Sequence, residues 1–453
     1  MRRAMLWAVA CAVLGLLAGC SGQPAGKAAA GPAPVAFAVA WSTGEDPAKA
    51  AETATAKAVK DLGCPAKGIV FYEYFPKMVK SADGSEQEVP DTAKEALVLP
   101  AIRAAAKGVP AIGCRARSLV TGGTMLTNTV AVLAIGGEKV ACKTVKIPLA
   151  DDRMAVGKGI GDALKSVGGL KLILALSEMR LSFETKEGVS VEDLIRGVLD
   201  TAGKDVVLLG GNCMPNEAGK DLAGVQFFDD ETLSGHVVAM GIGGPIAVYA
   251  NHTNEFQPSD ETVKVTKATD KWVYEFDGKP ASEVYRQLRG MKPEDPLSSD
   301  WQHPIGVIVA PGKVYLRMVL EEDKENKALR FVAAVPEGTE VKILKGGDDA
   351  AAILESAKQG IVDSVKKAGD AKPLVAIISD CCARGMRLRK FRKSDDECEV
   401  KQAILPALGD KAGFPIFGFY AWGELGPIAG PFHGLPCMYQ QHTFVSAVVT
   451  EAK

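Results

Sequence analysis

Histidine is scarce, five among 453 residues, and no cluster of it stands at zinc-ligand spacing. No Cys-x-x-Cys occurs, which removes the common dithiol and zinc-knuckle arrangements. An excess of charge is missing too. Lys and Arg number 53 against 55 Asp and Glu, so no strong field gathers nucleic acid or an anionic membrane. There is no Gly-x-Ser-x-Gly elbow, no His-Glu-x-x-His and no Walker loop. Gly157-Lys158-Gly159-Ile160-Gly161 imitates a dinucleotide loop, but its spacing is wrong and it lies in a helix-like segment. No cofactor and no metal are expected. With no catalytic motif to point to, an enzyme is not the first expectation.

A long apolar run is also lacking near the start. Residues 5–17 are apolar but too few to cross a bilayer, and they lie between Arg2-Arg3 and Leu17-Ala18-Gly19-Cys20. That order has the shape of a secretory signal ending in a bacterial lipobox, whose Cys20 sulfur takes a diacylglycerol. A plain signal with an incidental cysteine is the alternative, disfavoured by the small residues before Cys20 and the linker after it. That linker, 21–34, has almost nothing to bury and reads as a flexible tether. The expectation is an exported chain anchored by lipid to a bacterial membrane and facing periplasm or exterior. Ser21 after the cysteine favours the outer membrane or cell surface.

What is present is a repeat. Residues 413–449 hold two of the five histidines and the only close run of Phe, Tyr and Trp. There an apolar run stops at Gly418, a Gly/Pro-rich loop follows, and an apolar-alternating run closes the unit. With strand 373–378 and helix 397–408 ahead of it, the unit reads strand, helix, strand, glycine loop, strand. Two more copies precede it. One runs through strand 68–75, a helix over 93–107 bent near Pro100, strand 109–113 and strand 128–135. The other runs through strand 170–176, helix 191–202 capped by Ser190, strand 206–209 and strand 236–242. A further strand and helix lead into each of these two, at 35–41 and 47–62 and at 143–149 and 153–167. The expected fold is α/β, with mixed sheets built from repeated strand-helix-strand-strand units in two domains, 35–243 and 244–450. Each copy is expected to end its second strand at a glycine, Gly113, Gly210 or Gly418, and α/β sheets gather ligands at such strand ends.

The mature chain carries eight cysteines whose wide, irregular spacing does not read as a disulfide framework. Cys398 is a better partner for Cys381 or Cys382 than those neighbours are for each other. The basic run 387–393, followed at once by acids, reads as a solvated loop of mixed sign.

Several motifs carry a family resemblance. Val265-Thr266-Lys267, Tyr274 through Ala281, Val335-Pro336-Glu337-Gly338, Cys381-x-x-Arg384 and Gly418-Phe419-Tyr420-x-x-Gly423-Glu424-Leu425 resemble the FIST C domain. Residues 35–242, including Pro110-Ala111-Ile112-Gly113-Cys114, are similar to the FIST N domain. The resemblance implies a sensory module for amino acids or similar metabolites, handing its signal to another protein. The family's closing Phe-His-Asn-x-Thr-like run is replaced here by Tyr439-Gln440-Gln441-His442-Thr443.

The side chains point the same way. Tyr420 and Trp422 offer apolar faces with polar tips, Glu424 suits an amine, and Arg384 suits a carboxylate in a two-point fork. With Cys381, Gly418, Gly423 and His433 they form the candidate ligand site, for an amino-acid-like or carboxylated metabolite. Bland alternatives stand beside this: Glu424 and Arg384 as each other's buried partners, the aromatics as core, Cys381 as a small hydrophobe. A thiol-dependent hydrolase or transferase using Cys381, His433 and Glu424, or a redox or scaffold lipoprotein, is the competing function.

Overall fold

The computed structural model describes residues 33–453, apart from 81–83, 85, 122–123, 184–185, 218–220, 298–302, 312, 347–348, 392–393, 395–396, 433 and 453. Cys20, the expected signal and nearly all of the linker lie outside the described residues, as does His433.

The first unit runs β1 (Ala36–Thr43), α1 (Pro47–Leu62), β2 (Ala66–Tyr74), α2 (Val98–Ala105), β3 (Ala111–Arg115), β4 (Leu119–Thr121), β5 (Thr124–Leu126) and β6 (Thr129–Gly136). The second runs β7 (Ala141–Pro148), α3 (Arg153–Leu164), β8 (Leu170–Ser177), α4 (Val191–Ala202), β9 (Val207–Asn212), β10 (Gln226–Phe228), β11 (Glu231–Leu233) and β12 (His236–Gly243). The third runs β13 (Ile246–Thr253), α5 (Ala350–Ala368), β14 (Pro373–Cys381), α6 (Cys382–Arg389), β15 (Ile416–Ala421), β16 (Glu424–Phe432), β17 (Leu435–Gln440) and β18 (Phe444–Glu451). Between β13 and α5 an eight-stranded sheet is inserted, built from 257–345.

Helix ends follow local chemistry. Asp46 accepts the Lys49 N–H, Pro47 opens α1, and Gly63 at φ 69° closes it. Ser190 and Asp349 accept backbone N–H groups at the starts of α4 and α5.

The three sheets share one strand order. It is β1-β6-β2-β3 in the first, β7-β12-β8-β9 in the second and β13-β18-β14-β15 in the third. In each, the last two strands are parallel and the returning strand lies antiparallel between the first two. The mixed α/β architecture and its repeat are therefore as expected, down to the leading strand and helix.

Each sheet is then completed by a hairpin from another unit. The second unit's β10–β11 extends the first sheet, pairing Gln226 with Cys114. The third unit's β16–β17 extends the second sheet, pairing Glu424 with Gly211. The first unit's β4–β5 extends the third, pairing Leu119 with Phe419. Equivalent backbone bonds seal the three junctions: Arg115 N–H to Val225 O at 3.1 Å, Asn212 N–H to Gly423 O at 3.0 Å, Tyr420 N–H to Ser118 O at 3.1 Å. This exchange is cyclic, and one apolar core lies where the sheets' inner faces meet. It takes Val70 and Tyr72, Leu174 and Leu176, and Ile377 and Phe419 from the three sheets, with Tyr72 stacked on Phe417 and Phe419 at 4.6 and 4.2 Å.

Several expectations need correcting. The three glycines do not end their strands; each lies inside one, opposite Phe71, Ala175 or Ile378. At Gly210, with φ 141°, a Cβ would stand 1.8 Å from the Ala175 carbonyl oxygen, so close strand approach is what demands glycine there. The loop after Gly418 is the hairpin β16–β17, and the helix over 93–107 breaks at 96–97 rather than near Pro100. The run 387–393 begins inside α6, and Arg387 is buried rather than solvated. The eight cysteines among the described residues are free, so Cys398 bridges neither Cys381 nor Cys382. No helix among the described residues is long and apolar enough to cross a membrane.

Candidate functional site

Side chains along β14 alternate between the two faces of its sheet. Ile377 belongs to the shared inner core and Ile378 to the helix-covered outer one. Ser379 and Cys381 therefore face inward and Asp380 outward. This parity divides the residues expected in one site into two groups.

The outer group is a buried charge cluster. Arg384, in the first turn of α6, donates from Nε to Asp380 Oδ1 at 2.7 Å, from Nη1 to Ser356 Oγ at 2.9 Å and from Nη2 to Ile353 O at 3.1 Å. Its Nη1 also pairs with Glu255, whose other oxygen takes Arg387. The Tyr420 hydroxyl donates to Glu399 Oε2 at 2.6 Å, and Glu399 shares a hydrogen bond with Asp380. Burial pushes the Asp380 carboxyl well above its usual range, with Arg384 pulling it down and Glu399 pushing it further up. Both Arg384 donor edges are taken by protein groups. The fork assigned to a ligand carboxylate is thus occupied, and its partners are Asp380 and Glu255 rather than Glu424.

The inner group is smaller. Glu424, the first residue of β16, is fully buried, and its Oε2 accepts from the Thr443 N–H at 3.2 Å and hydroxyl at 2.8 Å. Its Oε1 is buried with no partner at hydrogen-bond geometry among the described residues, while the Cys381 thiol beside it shares a hydrogen bond with the carboxyl group. Burial, and next the thiol, raise the Glu424 carboxyl well above the ordinary carboxylate range, with Thr443 opposing. Cys381 sits at the N-cap of α6, where burial and Cys382 raise its thiol while the Ala383 and His442 N–H groups draw it down. Chemically this is a thiol beside a carboxyl group, both buried; the Ser379 hydroxyl, on the same face of β14, also lacks a partner among the described residues.

Gly423, at φ 109°, turns the chain between the groups. A Cβ there would crowd Tyr439, Asn212 and Ser182 at 3.0 to 3.3 Å. Asn212 donates to Ser182 Oγ at 2.6 Å and to Trp422 O at 3.0 Å, and accepts from the Tyr439 hydroxyl. Trp422 packs against the outer core, and Gly418 pairs with Ile378 while its carbonyl accepts from the Thr121 hydroxyl at 3.4 Å. The structure therefore joins Cys381, Gly423 and Glu424 and separates them from Arg384 and Tyr420. Asp380, Glu255, Glu399, Ser379 and Thr443 were missed from sequence. An acid at the end of the apolar run 373–379 was a legible signal; Glu255, over a hundred positions from its arginines, had none. A cleft of about 300 Å³ on the inserted sheet, lined by Leu288, Arg289, His303, Ile343, Lys345 and Gly346, contains none of these residues. Among the described residues no group of His, Cys, Asp and Glu is placed to hold a metal.

The chain matches the FIST N domain over 88–279 and the FIST C domain over 281–427. An uncharacterized protein of Mycobacterium tuberculosis is 24% identical over 402 residues, covering 86% of this chain and 95% of that protein. An uncharacterized protein of Methanocaldococcus jannaschii is 26% identical over 217 residues, 44% of this chain and 40% of the relative's length. Among solved structures, cyanuric acid hydrolase from A. caulinodans aligns at 11% identity with a TM-score of 0.26, over 46% of this chain and 71% of that one.

Proposed function

We infer from the FIST N and FIST C domains, as a class sensory modules that bind small ligands in signal transduction, that this protein senses a small metabolite for a partner protein. The ligand is assigned to the junction of the second and third units, where Cys381, Gly423 and Glu424 converge. One observation carries this: Glu424 is sealed from solvent with Oε1 lacking a partner among the described residues, and buried polar groups are otherwise nearly always satisfied. The amino-acid class expected from sequence needed Arg384 for the carboxylate; that half loses its support, while Glu424 remains for an amine. Anchoring through a lipid on Cys20, on the periplasmic or outer side of a bacterial membrane, completes the reading.

Two measurements test it. A thermal-shift screen of amino acids, amines and small organic acids should find a ligand that stabilises the wild type, by about 2.7 kcal/mol at a hundred times its dissociation constant. Glu424→Gln should lose that shift while folding normally; a shift unchanged in the variant removes the site from this junction. Independently, Cys20→Ala should move the protein from the membrane fraction to a soluble or uncleaved form. Unchanged acylation and membrane fractionation would end the anchor assignment.

A further inference from the structure

The charges around the junction narrow the ligand further, given that the site lies there. Glu424 has for neighbours a thiol, a hydroxyl and a backbone N–H. Among the described residues no Lys, Arg or His pairs with it. The two cations nearest in sequence to Cys381, Arg384 and Arg387, are held on the outer face by Asp380 and Glu255. Across Gly211, the strand partner of Glu424, stands Ser379; a Cβ on Gly211 would lie 3.1 Å from that hydroxyl. Both unsatisfied oxygens, Glu424 Oε1 and Ser379 Oγ, can accept a hydrogen bond.

A buried acid without a cation stays neutral, because an isolated charge there is costly. A ligand that brings one positive charge and N–H donors changes that, since it supplies the missing partner. A carboxylate on the ligand would recreate the difficulty, because among the described residues no cation at the junction is placed to pair with it. We propose that the Cys381–Glu424 junction binds a small organic amine, as its ammonium and without a carboxylate, donating to Glu424 Oε1 and the Ser379 hydroxyl. On binding, the proton on Glu424 leaves to solvent, the carboxylate forms and the ammonium keeps its own protons. The titratable groups facing Glu424 are Cys381 from β14 and Tyr439 from β17, both kept neutral by burial, while the His442 ring turns to Arg387. One proton is therefore released per ligand.

Matched pairs test this: isoamylamine with leucine, phenethylamine with phenylalanine, tyramine with tyrosine, each titrated into the whole mature chain. At least one amine should raise the melting temperature and bind about tenfold or more tightly than its parent amino acid. Calorimetry in phosphate and in Tris should report close to one proton released. Glu424→Gln should abolish the amine's effect, and Ser379→Ala, a milder change, should weaken it. An amino acid that binds while its amine does not would overturn the proposal and leave the site standing. So would amine binding that releases no proton or persists in both variants. If no member of either series shifts the wild type, the site assignment itself falls and the proposal with it.

Discussion

Arg384→Met should cost the protein about 3–5 kcal/mol of stability, or abolish the folded state, when followed by urea denaturation. The arginine is fully buried and bonds to Asp380, Glu255, Ser356 and the Ile353 carbonyl. Removing it leaves two acids in a dry setting with Glu399 beside them, and only Arg387 remains as a counter-charge. The loss should depend on pH. Asp380 already titrates above its usual range, and without Arg384 it moves further up. For an acid raised on folding, stability is fully present below the unfolded value, near 3.9, and is lost as pH rises towards the folded one. The gap between variant and wild type should accordingly narrow as pH falls from 8 to 5. Adding Asp380→Asn should recover part of the loss. A variant as stable as wild type at pH 8 would mean the cluster is wetter and looser than its geometry says.

Cutting the chain at 243/244 should give two pieces, neither of which unfolds cooperatively alone. The first piece keeps the second sheet but loses β16–β17, exposing β9 as an open edge at Gly210 to Asn212. It also loses Leu425, Ile428, Leu435, Met438 and Tyr439, all buried in the one core that also holds residues of α3, α4 and the inserted sheet. At about 1.5–3 kcal/mol for each large apolar side chain, that is on the order of 10 kcal/mol, as much as a whole domain's net stability. The second piece loses β4–β5, which cover β15 at Phe419. Coexpressed pieces should pair and regain near-UV circular dichroism and a sharp denaturation transition. A first piece that melts sharply by itself would show that the exchanged hairpins are ornaments on self-sufficient units.

The eight-stranded insertion is tied to the same hairpin. Arg317, fully buried on the inserted sheet, donates from Nη1 to Tyr439 O at 3.0 Å and from Nη2 to Glu192 in the first turn of α4 at 2.6 Å. Tyr439 reaches in turn to Asn212, whose backbone pairs with Gly423 next to Glu424. The inserted sheet thus holds β17, whose Gln440 pairs with Glu424, through side chains that lie far apart in sequence.

Much of the fold was legible because its signals are local. Asp46, Pro47 and Gly63 set both ends of α1 within one turn, and apolar period alone marked β8, β14 and β18. The threefold repeat was legible for the same reason, since each copy restates its own pattern of runs and breaks. The hairpin β16–β17 was not, because its Gly- and Pro-rich strands are stabilised by pairing with β9 of another unit rather than by their own propensity. Nor was helix α6, whose arginines read as solvated until Glu255 supplies a buried partner from over a hundred positions away.

The candidate site divides along the same line. The sequence by itself determined which residue types stand at the end of β14 and in α6: one acid, two cysteines and three arginines. Which of them meet was decided only by the tertiary structure. Strand parity sends Asp380 and Tyr420 outward and Cys381 inward, and the exchange of hairpins brings Glu424 to Cys381 and Thr443. Parity is a property of register, and the exchange is a property of how three sheets close around one core. Both depend on long-range pairing, so Arg384 ends among acids, and Glu424 is left with Oε1 unpartnered among the described residues.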